Sequence, residues 1–74
     1  MECKLSVMGS SGDKETRWHP DNPGEVEVAK MIFDAARKHG YLVYSQSPGA
    51  SGIALRQFDP NVETMIAVPR IVAG

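Results

Sequence analysis

Asn22-Pro23-Gly24-Glu25-Val26-Glu27-Val28-Ala29-Lys30-Met31-Ile32-Phe33-Asp34-Ala35-Ala36-Arg37-Lys38-His39-Gly40 decides the fold, because helical signals bound it at both ends. Asn22 is a capping side chain. Pro23 fits the first helical position, where an amide hydrogen would have no partner, and Glu25 stands where a capping-box acid belongs. At the far end Gly40 offers the left-handed cap that stops a helix. The spacing therefore predicts a helix from Pro23 to Lys38. At about 100° per residue, Val26, Ala29, Ile32, Phe33 and Ala36 fall in one stripe, with Val28 and Ala35 at its margin. Glu27, Lys30, Asp34, Arg37 and Lys38 lie opposite, Lys30, Asp34 and Lys38 at the four-residue spacing that allows ion pairing. Met31 is the apolar residue left on the outer face.

Strand patterns flank this helix. Residues 2–8 alternate, with Cys3, Leu5 and Val7 on one side and Lys4 and Ser6 on the other. Gly9-Ser10-Ser11-Gly12-Asp13 is a cluster of turn formers, and residues 14–19 return as a second strand with Thr16 and Trp18 on one face. After the helix, Tyr41-Leu42-Val43-Tyr44-Ser45 is aromatic and β-branched and reads as a third strand. Ser47-Pro48-Gly49-Ala50-Ser51-Gly52 reads as a loop, residues 53–58 as a fourth strand, Asp59-Pro60-Asn61 as a turn and residues 64–68 as a fifth strand, interrupted by Pro69. The expected order is β-β-α-β-β-β, an α+β fold in a single domain over residues 1–74, with one helix on a mixed sheet. Its natural closure is the β-grasp arrangement, with the last strand beside the first. Ferredoxin-like folds require two helices.

Composition narrows the function. A chain of 74 residues has room for one core and no interdomain site. A net charge of -1 supplies no general attraction to nucleic acid or to an anionic membrane. Cys3 is the one cysteine, so an intrachain disulfide and a cysteine-rich zinc site are excluded. No apolar run approaches the roughly 20 residues that span a bilayer, and no secretory-signal pattern opens the chain. The expected location is the cytoplasm.

Chemistry-bearing patterns are sparse. The glycines of Gly9-Ser10-Ser11-Gly12-Asp13-Lys14 are too close for a phosphate-binding loop and precede a strand, so they read as a hairpin turn. His19, His39, Asp21 and Asp59 lack metal-ligand spacing. Cys3 alternates in phase with Leu5 and Val7, as a core thiol does. Trp18, Tyr41 and Tyr44 lack the interleaved basic residues of a single-strand nucleic-acid platform and read as packing residues. No catalytic set, cofactor or metal site is expected.

The last stretch, Glu63-Thr64-Met65-Ile66-Ala67-Val68-Pro69-Arg70-Ile71-Val72-Ala73-Gly74, follows the fifth strand with a proline and finishes on small residues. Together with the element order it resembles the small ubiquitin-like β-grasp proteins, especially the sulfur carriers of molybdopterin and thiamine synthesis and the archaeal small modifiers. Val68, Pro69, Val72 and Gly74 carry the likeness; Ala73 stands where those families have glycine. The resemblance implies adenylation of the Gly74 carboxylate by a partner ATP-dependent enzyme, with Arg70 helping to dock the tail and a sheet face meeting the partner. Two readings follow. The first is a non-catalytic protein-interaction module with a protein partner, engaging it through a sheet edge or through the outer helix face around Lys30, Met31 and Arg37. The alternative is a modifier or sulfur carrier activated at its C-terminal glycine.

Overall fold

The computed structural model describes residues 1–9, 12–49 and 51–69. Its elements are β1 (Cys3–Val7), β2 (Lys14–Trp18), α1 (Pro23–Lys38), β3 (Leu42–Ser45) and β4 (Thr64–Val68). They form an α+β fold with one helix packed on a four-stranded mixed sheet in the order β2-β1-β4-β3. β1 pairs antiparallel with β2, putting Cys3 opposite Trp18 and Leu5 opposite Thr16. It pairs parallel with β4, setting Leu5 beside Met65 and Val7 beside Ala67. The last strand therefore lies beside the first. β3 closes the other edge antiparallel to β4, with Val43 opposite Ala67.

The helix begins and ends as its residues dictate. The Asn22 side chain accepts from the Glu25 amide at 3.2 Å, and Pro23 occupies the first turn. Glu25 does not close a reciprocal box on Asn22. Its Oε1 instead accepts from the His19 amide at 2.9 Å, while the Asn22 amide donates to the His19 carbonyl. At the C-terminus Gly40 adopts φ +88. Its amide donates to Arg37 O and that of Tyr41 to Ala36 O, both at 3.0 Å, which is the paired-bond arrangement that satisfies the last carbonyls.

Alternation decides what faces the helix. Cys3, Leu5, Trp18, Val43, Met65 and Ala67 from the strands meet Ala29, Phe33 and Ala36 from α1 in one buried core. Ser45 shares that face, and its hydroxyl accepts from the Ser47 amide at 3.3 Å. The sheet's other face is open. On its β1–β2 half Lys4, Glu15 and Arg17 form ion pairs with one another and with Glu2. Ile66, Tyr44, Leu42 and Val68 occupy the β3–β4 half.

One expected strand is not formed. Residues 53–58 make a single antiparallel bridge, Ala54 to Tyr44, held by Ser45 N to Ile53 O and Leu55 N to Val43 O, both at 2.8 Å. The reciprocal bond from Val43 N to Leu55 O, which would extend the ladder, is missing. Two competing interactions draw the segment off the sheet edge. The Arg37 guanidinium takes the Arg56 carbonyl, and Phe58 turns inward, its ring centroid 5.3 Å from that of Trp18 and 5.6 Å from that of Phe33. Burying an aromatic ring against the core outweighs a few more edge hydrogen bonds, whose net value over solvation is small. The segment becomes a strap across one flank of α1. Pro60 O secures it by accepting from Trp18 Nε1 at 3.0 Å and from Cys3 Sγ at 3.6 Å. The turn at Asp59-Pro60-Asn61 forms as expected, with Asn61 N donating to Asp59 Oδ1 at 2.9 Å.

Candidate functional site

The strap makes the two flanks of α1 unequal. On the closed flank, Leu55, Phe58 and Val62 pack against the core. On the open flank nothing among the described residues lies over Val28, Met31 and Ala35, which share one side of the helix at three- and four-residue spacing. Val28 is 53% and Met31 65% exposed, high for residues of that size and polarity. Beside them a cleft of about 360 Å³ opens between the helix and the sheet, lined by Val7, Ile32, Ala35, Ala36, His39 and Tyr41. The apolar arc of the helix thus extends past the core-facing stripe into solvent, with a concave floor next to it.

The expected outer-face residues divide. Met31 projects as the helical wheel places it. Lys30 is spoken for by Asp34, Nζ to Oδ2 at 3.3 Å. Arg37 is turned toward the strap rather than toward Met31, with its Nη1 on the Arg56 carbonyl. Met31 therefore shares its surface with Val28 and Ala35, and Arg37 belongs to a second cleft. Arg70, Ala73 and Gly74 lie outside the described residues.

That second cleft, of about 340 Å³, lies between the end of the helix and the point where edge pairing stops. Arg37, Gly40, Tyr41, Leu42, Val43, Ala54, Leu55 and Arg56 line it. Val28 and Ala35 had a sequence signal as the margin of the apolar stripe. Arg56 had none, because only the strap's path brings it opposite Arg37, 19 positions away in the chain.

Of the other candidates, Trp18 and Cys3 are core residues, fully buried. Burial, and then the charge of Glu63, push the Cys3 thiol above its ordinary pKa, which suppresses the thiolate that nucleophilic chemistry needs. His19 Nδ1 sits 2.9 Å from Glu25 Oε1. That hydrogen bond, followed by the one from the His19 amide, holds the Glu25 carboxyl below its usual range. Among the described residues no three His, Cys, Asp or Glu side chains gather in a metal-binding group. No described helix is long and apolar enough to cross a membrane. No protein-family model, curated protein or solved structure matches the chain.

Proposed function

We propose that the chain is a non-catalytic protein-interaction module with a ubiquitin-like β-grasp fold, engaging a protein partner through the open flank of α1. The fold reading is supported by the strand order β2-β1-β4-β3, the parallel β1–β4 pair and the single helix on one face. The functional reading is carried by one observation: Val28 and Met31 stand exposed beside an apolar cleft while the strap covers the opposite flank. A small domain gains nothing in its own stability from exposed Val and Met, whereas an apolar side chain of a partner seated in the Ile32–Tyr41 cleft would bury both.

Quantitative affinity capture with the wild-type chain, with Met31→Glu and with a chain lacking residues 70–74 tests this reading. Met31 is exposed, so the glutamate leaves the core intact, which circular dichroism checks. The expected result is a defined partner retained by the truncated chain and lost by Met31→Glu. A partner lost on truncation and kept by Met31→Glu refutes the helix surface and favours the Gly74 reading. The absence of any partner sensitive to Met31→Glu refutes the module.

A further inference from the structure

We infer that the cleft between Arg37 and Arg56 is a second binding site, which takes an acidic peptide segment carrying an apolar side chain beside its carboxylate. It shares Tyr41 with the cleft of the open flank but does not rest on that reading. Lys4, Arg17 and Lys30 each meet a carboxylate within 4.0 Å. Among the described residues Lys14, Lys38, Arg37 and Arg56 do not, and of these the two arginines line this cleft together, in a chain that is net negative at -1. Two arginines thus line one cleft with no described carboxylate within 4.0 Å of either, and an anionic ligand would supply the counter-charge.

The cleft is also preorganised. The Arg56 carbonyl holds one Arg37 nitrogen, which leaves the rest of the five-donor guanidinium fork for a carboxylate. The floor consists of Leu42, Ala54 and Leu55, and Leu42 is 44% exposed. That combination suits a peptide with an apolar residue next to an acidic one better than a bare inorganic anion, which would use only the two arginines. Beyond the single Ala54–Tyr44 bridge the ladder stops, so the strap leaves the β3 edge at this cleft.

The test titrates the ¹⁵N-labelled chain with an acetylated and amidated Leu-Glu-Asp-Leu peptide, following backbone amides and arginine Nε–H signals. Leu-Gln-Asn-Leu and inorganic phosphate serve as comparators. Saturable shifts are expected at Val43, Leu55, Arg37 and Arg56, weakening as salt rises. Arg56→Gln should weaken binding at least about tenfold, as loss of a charge-assisted pair does, and Met31→Glu should leave it unchanged. The Arg56 side chain makes no hydrogen bond in the described structure, so Arg56→Gln keeps the fold. Equal binding of the neutral peptide, equal binding by Arg56→Gln, or shifts produced as readily by phosphate would each overturn the proposal. Loss of peptide binding in Met31→Glu would place the site on the open flank instead and overturn it as well.

Discussion

Phe58→Ala should unfasten the strap, and its consequences can be worked from the packing. The ring is half-buried and makes two aromatic contacts, tilted to Trp18 at 5.3 Å and edge-on to Phe33 at 5.6 Å. Truncating a fully buried phenylalanine costs about 3–5 kcal/mol. Partial exposure roughly halves that figure, to about 1.5–2.5 kcal/mol with the two ring pairs included. In a domain of this size that lowers Tm by roughly 6–20 °C. Trp18 is the chain's one tryptophan, so its fluorescence reports the site without labelling. Native Phe58→Ala should emit further to the red than wild type, because the indole loses the ring that shields it. Urea unfolding followed by fluorescence and by circular dichroism measures the stability change. Phe58→Leu, which keeps most of the volume but no ring, should lie between the two. A stability loss below about 0.5 kcal/mol with unchanged emission would refute the account of the strap as an aromatic anchor.

Two further perturbations probe the ends of the helix. Glu25 has a folded pKa below its unfolded value because it accepts from His19, so its contribution is fully present above about pH 4.3 and is lost as pH falls through the lowered folded value. Glu25→Gln should therefore flatten the acid limb of the stability-against-pH curve; an unchanged slope would show that the interaction contributes nothing to folding. Gly40→Ala forces a side chain into φ +88 and should cost about 1–2 kcal/mol by thermal denaturation, although no described atom lies within 4 Å of the added Cβ. A neutral result would mean that the chain finds another way to end α1.

The sequence by itself determined the elements whose physics is local. Asn22, Pro23 and Gly40 bound α1 because caps and backbone restrictions act within a few residues. The alternation in residues 3–7 already put Cys3 and Leu5 on one face, where both are buried, since a strand has only two faces. Met31 was legible as the outward apolar residue for the same reason. What only the tertiary structure decided concerns residues 53–58. Their composition suits a strand, but their fate depended on a competition between the β3 edge and the space beside Trp18 and Phe33, groups far away in the chain. Burial of Phe58 and capture of the Arg56 carbonyl by Arg37 won, because a half-buried ring stabilises more than a few edge hydrogen bonds already satisfied by water. That outcome covered one flank of α1, left Val28 and Met31 open on the other, and brought together two arginines that no spacing rule connects.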